Sequence, residues 1–151
     1  MRLIKSALVA GLIAVPVLAT AQSGEDALEA RHGYMRMLAI NMGTLAGMAK
    51  GEIEYDEAAA STAGANIAAL SQYGAVALFV PGTANGEIDE SDALPAIWEK
   101  PEQFAQKFTA FAEVASGASE AVKGGQDNVG PALQKLGGTC KDCHDDFRKP
   151  E

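Results

Sequence analysis

The feature that most constrains the fold is the spacing of apolar residues in the first long segment of the chain. Residues that fall on one stripe there are Leu28, Met35, Leu38, Met42, Leu45 and Ala49. Such spacing puts one apolar face along an α-helix. No long stretch alternates apolar and polar residues at period two, the pattern of a half-buried strand. The sequence therefore predicts an all-α fold whose first helix covers residues 25–50 and stops at Gly51.

The second predicted helix follows Asp56, whose side chain makes a favourable N-cap. It runs to residue 79, before Pro81-Gly82, and its apolar face consists of Ala60, Ala63, Ile67 and Leu70. Residues 80–95 then form a connection that is long for a compact domain but fits an ordered crossover.

Prolines and glycines delimit the last two predicted helices. Pro101 favours the first turn of a helix that closes at Gly124-Gly125. Its inward stripe consists of Phe104, Phe108, Phe111 and either Val114 or Ala115. Pro131 is expected to open a fourth helix that Pro150 stops. Four helices around one core predict an antiparallel four-helix bundle.

The N-terminal residues predict export. Two cations precede an apolar run over residues 7–19, and a small-residue cleavage pattern ends at Ala21. The run contains Pro16 and is shorter than the roughly 18 apolar residues that a membrane span needs. We therefore expect a secretory signal peptide over residues 1–21, a periplasmic location, and a single mature domain over residues 22–151 without a membrane span.

The expected mature chain is strongly acidic. The whole chain has a formal charge of −8, and residues 1–21 contain two of its cations and no acids. An acidic surface argues against nucleic acid and anionic membranes as partners. It favours a protein partner with a basic docking patch, although solubility alone also explains the charge.

The chain's only two cysteines form a C-x-x-C pair near the C-terminus, and a histidine follows directly. At 100° per residue, Cys143 and His144 lie about −60° and about +40° from Cys140, so the three side chains share one face of the fourth helix. This arc fits a flat macrocycle that two thiols bond at its edge while the imidazole reaches a central metal. Gly137 and Gly138, one turn earlier, have no side chains to obstruct a large ring.

Other uses of a C-x-x-C pair fit less well. A thioredoxin-type pair lies at a helix N-terminus within βαβ units, whereas this pair lies near a helix C-terminus. Structural zinc needs four ligands, and the chain has no second cysteine pair. A disulfide leaves His144 unexplained. The motif therefore predicts one haem c, attached through Cys140 and Cys143.

The chain resembles the class II c-type cytochromes, the group that includes cytochrome c′ and cytochrome c-556. The stretches that carry the resemblance are ALEARHGYMRM, LFVPGT, ALPAIW and ALQKLGGTCKDCHDDFR, and it covers the whole mature chain. It implies a four-helix bundle with the haem near one end. It also implies thioether bonds from Cys140 and Cys143 and a proximal iron bond from His144.

The resemblance further implies roles for four residues outside the motif. Arg31 matches a first-helix arginine beside a haem propionate, a charge-assisted pair, and Arg148 matches a second basic residue near the haem. His32 takes the place of a polar group at the haem edge, although it departs from the commonest residue there. Met35 occupies the distal position, where c-556 members have a ligating methionine and c′ members usually have Leu, Phe or Tyr. The alternatives are solvated surface side chains and, for Met35, apolar filling of the core.

Ligation by both His144 and Met35 makes the iron low-spin, which suits one-electron transfer. We therefore expect a periplasmic electron carrier. The alternative is a five-coordinate gas-binding protein of the c′ type, in which Met35 only lines the pocket. A peroxidase needs a distal His or Arg, and only His32 and Arg31 are candidates, so we expect no enzymatic activity. A homodimer is compatible with the small-residue face of the second helix.

Overall fold

The computed structural model describes residues 23–150, so the predicted signal peptide lies outside the described residues. Over these residues the chain forms six α-helices, one 3₁₀ helix and no β-strand. The α-helices are α1 (Gly24–Lys50), α2 (Glu57–Ser71), α3 (Ala96–Glu99), α4 (Pro101–Ala115), α5 (Ala118–Ala121) and α6 (Gln126–Phe147), and the 3₁₀ helix is Ala75–Leu78. The long helices α1, α2, α4 and α6 pack as a four-helix bundle, which confirms the predicted fold class.

Helix α1 begins and ends at well-formed caps. The Ser23 hydroxyl accepts a hydrogen bond from the Asp26 N–H at 3.0 Å, which satisfies one of the unpaired N–H groups of the first turn. At the other end Gly51 adopts a left-handed conformation with φ 74°, and its N–H donates to the last turn of the helix. Glycine adopts this conformation without strain, so the predicted stop at Gly51 is confirmed.

Helix α2 is shorter than the sequence predicts. It begins after Asp56, whose Oδ1 accepts from the Ala59 N–H at 2.7 Å, but it ends at Ser71 and not at residue 79. A 3₁₀ helix follows the break at Gly74 and buries Ala75 and Leu78 against Tyr34 of α1. Tertiary packing therefore overrides the helical propensity of this alanine-rich stretch.

The predicted third helix is broken at Ser116-Gly117, so α4 and α5 are separate elements. The break lets α5 pack very closely on α2. A Cβ added to Gly64 of α2 would lie 2.7 Å from the backbone of Ser119 in α5. The Ser61 and Ser119 hydroxyls are 2.8 Å apart across the same contact. On the inward stripe of α4, Ala115 is fully buried whereas Val114 is only partly buried.

Helix α6 begins at Gln126 and not at the predicted Pro131. The Gln126 amide donates to the Met48 carbonyl at 2.8 Å, which ties the first turn of α6 to the last turn of α1. Pro131 is accommodated within the helix on an exposed side, where its ring costs one intrahelical hydrogen bond. The helix ends at Phe147, before Pro150.

The connection over residues 80–95 is ordered, as predicted. The Asn85 N–H donates to the Ala93 carbonyl at 2.7 Å, and the Asn85 amide donates to the Ser91 carbonyl at 2.7 Å. The Leu94 N–H donates to the Phe147 carbonyl at 2.9 Å. The connection is thereby fastened to the C-terminal end of α6.

The main core cluster fills one end of the bundle. It joins the C-terminal part of α1, most of α2, the end of α4, α5 and the N-terminal part of α6, and its largest fully buried side chains are Leu45, Met48, Ile67, Val122, Val129 and Leu136. A second, aromatic cluster centres on Phe104, whose ring makes edge-on contacts with Phe79, Phe108 and Phe147. Among residues 23–150 no helix is long and apolar enough to cross a membrane.

Candidate functional site

A cleft of about 800 Å³ lies between α1, α4 and α6, beside the aromatic cluster. It is lined by every residue that the sequence singles out: Arg31, His32, Met35, Cys140, Cys143, His144 and Arg148. The rest of its lining is mainly apolar and aromatic, with Leu28, Leu38, Met42, Phe79, Phe108 and Phe111 among it. The fold therefore brings Arg31, His32 and Met35 of α1 to the same cleft as the C-terminal cysteine–histidine motif, although more than a hundred positions separate them in the chain.

The cysteine–histidine motif lies on one face of α6 that borders this cleft. Both cysteines are partly buried and carry free thiols, and His144 is exposed at the cleft surface. Burial raises the pKa of the Cys140 thiol and raises that of Cys143 to about 11. Dithiol redox enzymes depend on a lowered thiol pKa, so this environment argues against thiol–disulfide exchange.

The surroundings of the motif also argue against structural zinc. In the part of the chain that the structure describes, no three histidine, cysteine or acidic side chains cluster as potential metal ligands. The cysteine pair thus lacks the further protein donors that a closed zinc site requires.

Arg31 projects from α1 and is 4% exposed. Its Nη2 donates to the Thr83 carbonyl at 3.2 Å and makes a longer contact with the Ser91 hydroxyl at 3.5 Å. The guanidinium carbon also lies 4.8 Å from the centre of the Phe79 ring. Burial lowers the pKa of Arg31, which nevertheless remains a cation at neutral pH.

The second terminal nitrogen of Arg31 lacks a partner among the described residues, in a residue that lines the cleft. Nη1 is buried and has no hydrogen-bond partner among residues 23–150. A buried donor left without a partner costs about 1–3 kcal/mol, and more when it is charged. A carboxylate brought into the cleft satisfies that donor and balances the charge of Arg31.

The other three predicted residues lie around this cavity at different depths. Met35 is partly buried, one turn after Arg31, and packs beside Tyr34 and its neighbours. His32 is exposed at the rim. Arg148 is half-buried, and its Nη2 lies 3.5 Å from a carboxylate oxygen of Asp92. The ion pair with Asp92 gives Arg148 a structural role of its own at the rim.

Three residues of the cleft region were missed by the sequence analysis. Thr83 and Ser91 hold the Arg31 guanidinium, and the Ser91 hydroxyl donates to the Thr83 carbonyl at 2.7 Å. No local sequence signal marks this long-range contact. Lys107 also lines the cleft. Its sequence position was a signal, because it lies at helical spacing on the same stripe as Phe104, Phe108 and Phe111, where an apolar residue is expected.

The cleft residues fit a flat, largely apolar macrocycle that carries acidic side groups. Apolar and aromatic side chains form the walls, two thiols and an imidazole lie on one helix face, and the Arg31 guanidinium has an unpartnered donor. These are the contacts that a haem requires: thioether attachment, an axial nitrogen ligand and a counter-charge for a propionate.

Comparison with known proteins agrees with this reading. A family model described as Cytochrome C′ matches residues 26–148. Two curated relatives from Cereibacter sphaeroides, a cytochrome c′ and a cytochrome c-554, are each 40% identical to this chain. The cytochrome c′ match extends over 137 residues, which is 91% of this chain and 92% of the relative. The cytochrome c-554 match extends over 146 residues, 96% of this chain and 95% of the relative.

Solved structures extend the similarity to the fold. The structure of cytochrome c′ from Rhodobacter sphaeroides is similar, with a TM-score of 0.81 and 39% identity. The match covers 86% of this chain and 100% of that chain. A nitric oxide complex of a mutant cytochrome c prime from Alcaligenes xylosoxidans is similar with a TM-score of 0.69 and 32% identity, covering 84% of this chain and 97% of that one.

Proposed function

The chain belongs to the cytochrome c′ family, and we propose that it holds one haem c in the cleft between α1, α4 and α6. In this proposal Cys140 and Cys143 make the thioether bonds and His144 is the proximal iron ligand. When bound, the haem supplies reversible binding of a small gas and a one-electron change at iron. The observation that carries the proposal is the convergence of the motif and the unpartnered Arg31 Nη1 on one cleft.

Each cleft residue has a defined task in this proposal. Arg31, held by Thr83 and Ser91, pairs with a haem propionate through Nη1 and orients the ring. Arg148 and His32, at the rim, are placed near the haem edge. The apolar walls exclude water from the ring, which strengthens the electrostatic contacts inside the cleft.

We propose gas binding as the main function, with the distal iron position open. The family model and most of the similar proteins are named cytochrome c′, and the mutant from Alcaligenes xylosoxidans is a nitric oxide complex. The α1 wall supports the same interpretation, since Met35, Leu38, Ala39 and Met42 form an apolar stretch along it. Neutral diatomic molecules such as nitric oxide and carbon monoxide enter such a pocket, whereas charged ligands lose their hydration there. This order reverses the sequence-based expectation, which put the electron carrier first.

The electron carrier remains the second candidate, and Met35 is the observation in its favour. Its partly buried side chain lines the cleft one turn after Arg31. A relative that is 40% identical is named cytochrome c-554 and not cytochrome c′. A thioether bond from Met35 to iron closes the distal position and makes the haem low-spin, which favours electron transfer over gas binding.

Electron paramagnetic resonance of the ferric protein distinguishes the two functions. A high-spin signal, with ferrous protein that binds nitric oxide and carbon monoxide directly, supports gas binding. In that case Met35→Leu leaves the spin state unchanged. A low-spin wild type that becomes high-spin and reactive toward carbon monoxide in Met35→Leu establishes the electron carrier instead.

We further propose a periplasmic location and, for the electron-carrier candidate, a partner protein that carries a basic patch. Glu90 and Asp92 lie at the cleft rim, with Asp92 paired to Arg148, and the whole chain has a formal charge of −8. Such charges raise the rate of encounter with a basic protein and lose their effect at high salt. Electron-transfer rates that do not depend on ionic strength contradict this partner.

We also propose a homodimer through the outer face of α1 and α2. An apolar groove of about 720 Å³ lies there, lined in part by Tyr34, Met37, Ile40, Leu70 and Tyr73. Exposed apolar patches of this kind mark interaction surfaces. Sedimentation of the holoprotein and of Ile40→Glu tests it, since a charge in the groove favours the monomer. Equal sedimentation of both as monomers contradicts the dimer.

A further inference from the structure

Lys107 is a cation within the aromatic stripe of α4, and its side chain is only 15% exposed. Its Nζ lies 2.7 Å from Asp142 Oδ2 and 2.8 Å from Asp146 Oδ2, both on α6. The two aspartates bracket Cys143 and His144 in the sequence. One lysine therefore joins α4 to both sides of the turn that carries Cys143 and His144, two of the three residues of the attachment motif.

The geometry of this contact restricts how the turn can move. Asp142 and Asp146 are four residues apart, so their carboxylates follow one another along the same side of α6. A single ion pair holds a helix turn on one side only, whereas here one Nζ holds two side chains, one before Cys143 and one after His144. The side chain of Cys143 lies between the two carboxylates along the helix and borders the cleft together with Lys107.

The cluster joins one lysine to two aspartates beside the cleft. Hydrogen bonds from Lys107 to Asp142 and Asp146 raise the pKa of the lysine. The cluster thus has one positive and two negative groups beside the cleft, and loss of the lysine leaves two carboxylates without a counter-charge.

We propose that Lys107 is a positioning residue for the haem: it holds the turn 142–146 against α4, so that Cys143 and His144 keep their orientation toward the cleft, and it sets the charge beside the iron. This inference rests on the proposed attachment of haem through Cys140, Cys143 and His144. It assigns Lys107 an influence on the cofactor that a simple link between two helices does not have.

The chain offers a matched control on α6, the helix that carries Asp142 and Asp146. Lys141 pairs with Asp145 along α6. Its side chain is 75% exposed, against 15% for Lys107, while the aspartates are exposed in both clusters. An exposed pair of this kind is screened by water and salt and contributes little. Like Lys107→Gln, Lys141→Gln therefore removes one positive charge. It does so one residue from Asp142 and without releasing α6 from α4.

The test compares the reduction potentials and ferric spectra of haem-loaded variants. Lys107→Gln leaves the carboxylates unbalanced, stabilises the ferric form, and shifts the ferric–ferrous equilibrium about threefold to tenfold toward ferric iron. Asp146→Asn removes a negative charge while Asp142 still holds the lysine, so it shifts the equilibrium in the opposite direction. Lys141→Gln shifts it by less than half as much as Lys107→Gln, and Lys107→Arg restores the wild-type potential and spectrum.

The outcomes separate a positioning role from a structural one. Opposite shifts for Lys107→Gln and Asp146→Asn, with an altered ferric spectrum only in the former, support the proposal. A lower Tm with an unchanged potential in both variants overturns it, and so do equal shifts for Lys107→Gln and Lys141→Gln. If Lys107→Gln does not fold, the direction in which Asp146→Asn shifts the ferric–ferrous equilibrium decides: a shift toward ferrous iron supports the proposal, and any other result overturns it. Wild-type protein without covalent haem overturns the proposed function itself. The results for the variants test only the role of Lys107.

Discussion

The two ends of the bundle use the same helices in different ways. The end that the main core cluster fills is here called the closed end, and the other is called the cleft end. At the closed end, Leu45 and Met48 of α1 are fully buried among residues of α2, α4, α5 and α6. At the cleft end, Met35 and Met42 of the same helix are only partly buried and line a cavity. One continuous apolar stripe thus seals a core in its second half and forms a binding wall in its first half. A periodic pattern alone does not distinguish these two uses.

Polar contacts differ between the ends as well. At the closed end no buried side-chain donor or acceptor among the described residues lacks a partner: the Tyr55 hydroxyl, for example, donates to the Val122 carbonyl at 2.9 Å and accepts from the Gly125 N–H at 3.3 Å. At the cleft end, Arg31 Nη1 is buried without a partner among the described residues. The closed end is therefore satisfied by the chain itself, whereas the cleft end has a donor suited to a ligand.

The largest expected effect is loss of stability at the closed end. Ile67→Ala removes a fully buried side chain and should lower the free energy of unfolding by about 2–5 kcal/mol. Ile53→Ala, at a side chain that is 45% exposed, is the control and should cost less than half as much. Denaturant unfolding of the holoprotein measures both. The haem absorption spectrum should not change in either variant, and a changed spectrum in Ile67→Ala contradicts the separation of the two ends.

The next effect in size concerns the close contact between α2 and α5. In Gly64→Ala the new methyl group meets the backbone of Ala118 and Ser119 at 2.7 Å, so one of the helices must shift. Overpacking of this kind costs about 1–3 kcal/mol. Gly43→Ala is the control, because nothing lies within 4 Å of a Cβ at that position in α1. Thermal unfolding compares the two, and an equal Tm means that the break at Ser116-Gly117 is not needed for packing.

A smaller effect on stability, but a larger one on the haem, is expected for Arg31→Ala. The variant removes a buried cation beside the proposed propionate, so the ferric form gains relative to the ferrous form. The potential should fall by an amount that corresponds to roughly a tenfold change in the redox equilibrium. Redox titration with Arg31→Lys as the charge-preserving control measures it. A fall of Tm without any change in potential contradicts the role of Arg31 at the haem.

Local signals in the sequence predict most of the fold. The caps at Asp56 and Gly51 give correct helix ends, because a cap depends on residues next to it. The early end of α2 and the break before α5 are not predictable in this way. They depend on burial of Leu78 against Tyr34 and on the absence of a side chain at Gly64, which are contacts between distant parts of the chain.

In the candidate site, too, the residues with local sequence signals were predicted and those that depend on long-range contacts were not. The shared face of Cys140, Cys143 and His144 follows from helix geometry, and the structure places all three at one cleft. Arg31 was found only through the family resemblance, and its partners Thr83 and Ser91 were not found at all. Lys107 could have been found, since a charged residue on an apolar stripe needs partners of opposite charge, and Asp142 and Asp146 supply them.

The central claim is that the cleft end is completed by one covalent haem, and the mass of the purified mature protein tests it most directly. The account predicts the mass of residues 22–151 plus a single haem, and colour that stays with the protein through acid–acetone extraction. A Cys140→Ala, Cys143→Ala double variant should show the polypeptide mass alone. A wild type with the polypeptide mass alone, or one whose haem is fully extracted, contradicts the account.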